Sequence, residues 1–281
     1  MRNTDLHTHT YYSDGQLSPK QLVRLSKKRG IKNLALTDHN TIKGVQEAIK
    51  EGKKIGVNVI PAVEIQYKGG EILAYFINLK NKPLNNALKK IRKETESSVK
   101  KFCQDLKKIG YKISFKEIWN KYPNARGNIN GFYPLYILFK KGYAKSTWLL
   151  GQQLEEKNLP KRKRKKLTAI QVIKLIKKAG GVPVMAHPWF GDTKNNFKKL
   201  KSYAKAGLRG IEINNGDRTP LRDKKTRERI KRVAKRYKLI ITEGSDYHGP
   251  ELVKHMPGNH ELGKNNCDEK VVEQLRKLSN N

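Results

Sequence analysis

The sequence predicts an α/β fold in which short strands alternate with amphipathic helices in a parallel sheet, open or closed into a barrel, and interrupted once by helices alone. Three observations carry this expectation. Apolar runs of strand length recur in both outer parts of the chain, helix-period patterns lie between them, and the middle keeps the helical pattern but loses the strands. A length of 281 residues suits one barrel, with or without an inserted unit.

Taken in order, Arg2–Leu6 is a weak opening strand, followed by Asn33–Thr37, Val57–Val63, Ile72–Ile77, Val182–Ala186, Gly210–Ile213 and Leu239–Thr242. The first helix is marked at both ends. Ser18 precedes Pro19 as an N-cap before a first-turn proline, and Gly30 supplies the stop. Thr41–Lys54, Thr168–Ala179, Asn195–Ala206 and Pro220–Tyr237 carry similar patterns. From Pro83 to Lys166 the rhythm breaks. Leu84–Ile109 reads as one long basic helix, Gly131–Lys141 as a shorter one, and Lys161–Lys166 is an unbroken basic run. The expected organisation is a β/α unit built from residues 1–80 and 167–281, with a basic helical insertion at 81–166.

The formal net charge of +36, from 61 Lys+Arg against 25 Asp+Glu, creates a field that concentrates polyanions. That charge fits a nucleic-acid or nucleotide substrate, or a general Lys-rich drift in composition. It does not choose between RNA and a small phosphorylated metabolite. No run reaches the ~18–20 apolar residues of a membrane span. Met1–Leu6 has no apolar signal core, so the expectation is a cytoplasmic protein with no membrane partner. Cys103 and Cys267 form no C-x-x-C pair and read as two unpaired thiols, with a single disulfide as the alternative.

The chemistry-bearing residues fall just after the strands. Leu6 leads to His7, His9 and Asp14; Leu34–Thr37 to Asp38 and His39; Val57–Val63 to Glu64; Val182–Ala186 to His187; and Leu239–Thr242 to Asp246 and His248. Five of the seven histidines sit at such points. In a β/α barrel the loops after successive strands converge at one end, so these groups are expected to meet. Imidazole nitrogens suit Zn, Mn or Fe, and carboxylates add hard oxygen ligands. The set exceeds what one ion needs, so two or three divalent ions are expected. Such ions hold a bridging hydroxide, lower its pKa and neutralise charge on a phosphoryl oxygen.

The motifs Asp5-Leu6-His7-Thr8-His9-Thr10, Ser13-Asp14-Gly15, Thr37-Asp38-His39-Asn40-Thr41, Val63-Glu64-Ile65, Ala186-His187-Pro188 and Gly244-Ser245-Asp246-Tyr247-His248-Gly249 together resemble the PHP superfamily, the polymerase and histidinol phosphatase domain. The resemblance covers about residues 1–80 and 180–263. A helical insertion before Ala-His-Pro is most similar to the branch that removes phosphate from nucleoside 3′,5′-bisphosphates and trims RNA from its 5′ end. The resemblance implies a distorted (β/α)7 barrel with a trinuclear metal site. His7, His9 and Asp246 would hold the first ion, with Glu64 shared between ions. Asp14, His39 and His248 would hold the second, and Glu64 and His187 the third. A metal-bound hydroxide would attack phosphorus, and His248 would be a proton donor to the leaving oxygen.

Two stretches depart from that pattern. The family has a His where Glu71 stands in Glu71-Ile72-Leu73-Ala74-Tyr75-Phe76; Glu71 is either a substitute ligand for a hard ion or a strand-end surface residue. An Arg-Pro-His helix start that grips phosphate is replaced by Gly131-Phe132-Tyr133-Pro134-Leu135, leaving Lys161–Lys166 as the alternative source of phosphate contacts or simply a solvated loop. His255 and His260 read as surface histidines. Trp119 and Trp148 read as packed or part-buried, and Trp189 either lines the pocket or packs in the core. The function expected is hydrolysis of phosphate esters of nucleotides or of short RNA 5′ ends. The alternatives are a small-metabolite phosphatase of the histidinol-phosphate type and a nucleic-acid-binding module with a relic metal site.

Overall fold

The computed structural model describes residues 2–157, 167–189, 197–215, 224–255, 260–265 and 267–280. The basic run Lys161–Lys166 and the starts of the helices expected from Asn195 and Pro220 lie outside them. The described strands are β1 (Arg2–Thr8), β2 (Asn33–Leu36), β3 (Asn58–Tyr67), β4 (Gly70–Tyr75), β5 (Val182–Met185), β6 (Gly210–Asn215), β7 (Ile240–Gly244) and β8 (Cys267–Asp268). They form one sheet in the order β7-β6-β5-β4-β3-β2-β1-β8.

The sheet curls until its ends meet. Thr8 of β1 bridges Tyr247, just past β7, and His9 N–H donates to the Tyr247 carbonyl at 2.9 Å. The buried Asp5 carboxylate ties the same edge, accepting from Ser245 N–H at 2.9 Å and from Gly263 N–H at 3.0 Å. The result is a nearly closed mixed barrel, which corrects two expectations. It has eight strands rather than seven, because the two-residue β8 adds antiparallel to β1. It is also not all parallel: β3–β4 and β4–β5 pair antiparallel, while β1–β2, β2–β3, β5–β6 and β6–β7 are parallel. The reason is local. Gly69 and Gly70, at φ 123° and 159°, turn the chain tightly enough that β3 runs straight back as β4 with no crossover helix.

At Gly244 the closing strands approach closely. A Cβ there would lie 2.4 Å from the His7 Cβ and 2.6 Å from its backbone nitrogen. Gly244→Ala is therefore expected to lower stability by roughly 1–3 kcal/mol, the usual range for an overpacked core position. Thermal melting checks this, and an unchanged midpoint would refute the close approach.

Helices cover the outside of the barrel. α1 (Pro19–Lys28) starts with a full capping box between Ser18 and Gln21. α2 (Val45–Ile55) ends on Gly56 in the left-handed conformation. Between β4 and β5 lie α3 (Lys82–Lys108), α4 (Phe115–Lys121), α5 (Phe132–Lys140), α6 (Thr147–Glu156) and α7 (Ala169–Lys178). Residues from α3 to α6 bury an apolar cluster of their own, including Val99, Cys103, Leu106, Ile118, Ile137 and Leu150. Cys267 belongs to a different cluster, so no disulfide joins it to Cys103. α8 (Leu200–Ala206), α9 (Lys224–Tyr237), α10 (Pro250–Val253) and α11 (Glu269–Lys277) complete the fold. No helix among the described residues is long and apolar enough to cross a membrane. Trp148 is 58% exposed on α6, against the expectation of packing, because that helix presents only Leu150 and Leu154 to the core.

Candidate metal centre

The open end of the barrel gathers the nine candidate ligands, His7, His9, Asp14, His39, Glu64, Glu71, His187, Asp246 and His248. His7 and Glu64 lie within β1 and β3, not after them, because β1 runs on to Thr8 and β3 to Tyr67. The polar Glu64 and Gln66 mask the strand's continuation, which Ile65 and Tyr67 carry on its other face. His187 and Asp246 lie two residues past the ends of β5 and β7 with left-handed backbones, at φ 23° and 53°. Such values are costly for non-glycine residues and mark places where the surroundings force a side chain's direction.

Glu64 is the hub. Its Oε2 lies 3.3 Å from His7 Nε2, 3.5 Å from His9 Nε2 and 2.9 Å from His39 Nδ1, and its Oε1 lies 3.0 Å from His187 Nε2. Asp246 Oδ1 sits 3.4 Å from His7 Nε2 and 3.1 Å from His9 Nε2. Asp14 Oδ1 is 3.3 Å from His248 Nε2, and its Oδ2 is 3.5 Å from His39 Nε2. Glu71 bridges the remaining gap, 3.4 Å from His39 Nδ1 and 3.3 Å from His187 Nε2.

These contacts resolve into overlapping groups whose ligand atoms lie within 4.8 Å of one another: His9-Asp14-His39-His248, His7-Glu64-His187, His7-His9-Asp246 and His39-Glu64-Glu71. His9 Nε2, Asp14 Oδ1, His39 Nδ1 and Glu64 Oε2 are buried and make no hydrogen bond. Buried polar atoms are normally satisfied, so converging atoms of this kind fit a cation. The donor set, imidazole nitrogen mixed with carboxylate oxygen, fits divalent first-row metals. The arrangement can hold several such ions.

Protons stand in for cations in the titration behaviour. Burial works to lower the His187 pKa, but its hydrogen bonds to Glu64 and Glu71 reverse this and push it up to about 10. Burial is likewise outweighed at His7 by Glu212, Glu64 and Asp246, and at His39 by Asp14, Glu64 and Glu71; both rise well above the ordinary value. His9 differs. Burial, aided by the neighbouring His248 and His39 rings, brings it down to about 4. Burial tends to raise Glu64, yet His7 and His39 hold it well below the usual carboxylate range.

Residues outside the nine also shape the centre, and among them Glu212, Asn128 and Asn130 are not singled out from the sequence. Glu212, fully buried in β6, accepts from His7 Nδ1 at 3.0 Å and from His187 N–H at 2.9 Å. Its signal was a lone carboxylate inside the apolar Ile211-Glu212-Ile213. With Nδ1 held by Glu212, His7 presents Nε2 to the centre. Glu212→Ala is expected to weaken metal retention by roughly 10–100-fold, the usual cost of losing a group that orients a ligand. Metal content after dialysis against graded chelator measures this, and wild-type retention would rule out the orienting role.

Asp38 accepts from Thr10 N–H at 2.7 Å, from the Thr10 hydroxyl at 2.6 Å and from the Ser13 hydroxyl at 2.6 Å, so it fixes the loop that carries His9 and Asp14. Asn130 Nδ2 donates to Asp14 Oδ2 at 2.7 Å, and Asn128 Nδ2 donates to the His39 carbonyl at 2.7 Å. The segment before α5 therefore braces the centre, which an Asn-Ile-Asn run gave no reason to expect. His260, read as a surface residue, is fully buried, with Nδ1 at 2.9 Å from the Ser245 carbonyl under the Asp246 loop. His255 is part-buried against the Phe139 ring. Trp189 is 4% exposed in the apolar core, edge-on to His187.

Comparison with known proteins gives a consistent picture. The profile of the PHP domain family matches residues 5–156. The chain is 32% identical over 284 residues to a 5′-3′ exoribonuclease of Haemophilus influenzae, covering 93% of each. It is 26% identical to a 3′,5′-nucleoside bisphosphate phosphatase of Chromobacterium violaceum, covering 89% of this chain and 88% of that one. A solved structure from Bifidobacterium adolescentis superposes with a TM-score of 0.83 at 24% identity, covering 100% of this chain and 97% of that one, a likeness of fold.

Proposed function

The chain is a phosphoesterase of the PHP domain family, and from that premise we propose that it hydrolyses phosphate esters of nucleotides or of the 5′ ends of short RNA. The observation that carries the reading is the hub at Glu64, one buried carboxylate within 3.5 Å of four histidines that belong to overlapping ligand groups. The named activities of the two relatives and the net charge of +36 support nucleotide or RNA substrates over a neutral or cationic one.

His7, His9 and Asp246 would hold one ion, Asp14, His39 and His248 a second, and Glu64, Glu71 and His187 a third, with Glu64 shared. Bound divalent ions supply a water nucleophile of lowered pKa and neutralise charge on phosphoryl oxygens. The chain's residues do the rest. Glu212 orients His7 and pins the backbone at His187. Asn130 and Asp38 hold the Asp14 loop. His248 suits a ligand better than a proton donor: its Nδ1–H donates to the Asp246 carbonyl at 2.7 Å, which leaves Nε2, 3.3 Å from Asp14 Oδ1, free to face the same cation as that carboxylate. The two carboxylates around His187 make the third group richer in oxygen than the others, which favours Mn over Zn there.

The test offers metal-stripped, Mn-reloaded protein a 5′-phosphorylated oligoribonucleotide, a nucleoside 3′,5′-bisphosphate and histidinol phosphate side by side. Turnover of either of the first two, well above the third, is expected. Preferential turnover of histidinol phosphate would replace the reading with a small-metabolite phosphatase. Tight RNA binding with no turnover under any metal would overturn it.

A further inference from the structure

Beside the metal centre lies a cavity of about 300 Å³. Its walls include Asp14, Tyr11 and Lys121, with Tyr122, Phe132 and Tyr136 from the segment between α4 and α5 and from α5 itself. We infer that this cavity is the subsite for the nucleobase of the substrate, a specificity element that rests on the nucleotide reading above.

The lining is aromatic where a base needs π-faces. Phe132 and Tyr136 stack on each other with centroids 5.3 Å apart and planes at 19°. Tyr122 packs on Tyr133 at 4.7 Å and 56°. Phe132 and Tyr122 are only part-buried, so each keeps ring surface open. Trp189 cannot serve instead, being 4% exposed, and Trp148 does not line the cavity. Bases of every kind offer a face to such rings, and stacking tolerates sequence. The volume is at the lower end of ligand cavities, which run to roughly 1,000 Å³, so it suits one nucleoside-sized group. Lys121 at the exposed rim places a cation near a following phosphate.

The wall is registered to the metal centre by hydrogen bonds. Asn130 uses both ends of its amide, donating to Asp14 Oδ2 at 2.7 Å and accepting from Phe132 N–H at 2.9 Å. The Tyr133 hydroxyl donates to the Ser13 carbonyl next to Asp14. A ring seated on Phe132 is thus held at a fixed offset from a candidate metal ligand, as a base must be from its own ester phosphorus.

The experiment measures kcat/KM of the Mn-loaded protein for a nucleoside 3′,5′-bisphosphate and for the same sugar bisphosphate lacking a base. Wild type, Phe132→Ala and Phe132→Tyr are compared, with Tyr122→Ala as a second truncation and thermal melting to check folding. Phe132→Ala is expected to lose about tenfold of the preference for the base-bearing substrate, mainly through KM, while Phe132→Tyr retains it. A preference kept by both truncations overturns the inference, as does an equal loss on both substrates, which marks a structural role. If the wild type turns over neither substrate, the nucleotide reading fails on its own. Binding of adenosine 5′-monophosphate, followed by NMR saturation transfer to the protons of its base, then decides the subsite. Transfer that is present in wild type and disappears in Phe132→Ala upholds it, and no transfer in wild type overturns it.

Discussion

Replacing Glu64 by alanine is expected to abolish turnover and strip the protein of metal, with a loss well above the roughly 10–100-fold that removal of a ligand-orienting group costs. Glu64 is the only carboxylate within ion-pair distance of His7, His9, His39 and His187 together among the described residues. Its removal therefore damages every ligand group that contains it or its neighbours. The fold should survive better than this suggests. Breaking a buried ion pair costs ~3–5 kcal/mol when the stranded partner keeps its charge. Here the partners are imidazoles that keep other carboxylates beside them, Glu212 and Asp246 at His7 and Asp14 and Glu71 at His39, so neither is left as an uncompensated charge. Activity and metal content should collapse while the melting temperature of the metal-free protein moves far less. Wild-type turnover in Glu64→Ala would remove the centre from the mechanism. Glu64→Gln separates charge from shape, and it too should fail, because a neutral amide cannot balance a shared cation.

The site was far more legible in the sequence than the sheet around it. Most of the chosen residues are polar groups at the end of an apolar run of strand length, a signal that survives without knowledge of the fold, whereas Glu71 comes only from the family resemblance. The sheet's mixed direction was not legible because it depends on one turn, Tyr67–Gly70, whose glycines replace a helix by a hairpin. Glu212 was hidden for a different reason. It sits in mid-strand with apolar neighbours and acts only through contacts with residues distant in sequence. His260 shows the same limit: a polar stretch suggests solvent, but the Ser245 carbonyl needed a buried donor. Glu71 stood open between ligand and surface, and the structure places it within 3.4 Å of both His39 and His187.

Metal affinity is expected to rise steeply with pH, and unequally among the groups. Without metal, His7 and His39 lie well above the ordinary imidazole value and His187 at about 10, so these three carry protons near neutrality that a cation must displace, and His248 is raised in the same direction. The sign follows. Acid adds competing protons and weakens binding, and the effect persists upward until pH passes the raised values, about 10 for His187. Each displaced proton contributes about a tenfold change in affinity per pH unit. His9, at about 4, is already neutral and contributes none. On the ligand sets proposed above, the ion at His7, His9 and Asp246 has one imidazole of raised pKa to deprotonate and the ion at Glu64, Glu71 and His187 also one, whereas the ion at Asp14, His39 and His248 has two. The ion seated between Asp14, His39 and His248 should leave first as pH falls from about 8 to about 6. Metal content after equilibrium dialysis across that range, with proton release measured by calorimetry in two buffers, reads both the slope and the order. Loading that ignores pH would show that the imidazoles are not the ligands. A single uniform slope would show that the groups act as one coupled cluster, with Glu64 joining rather than ranking them.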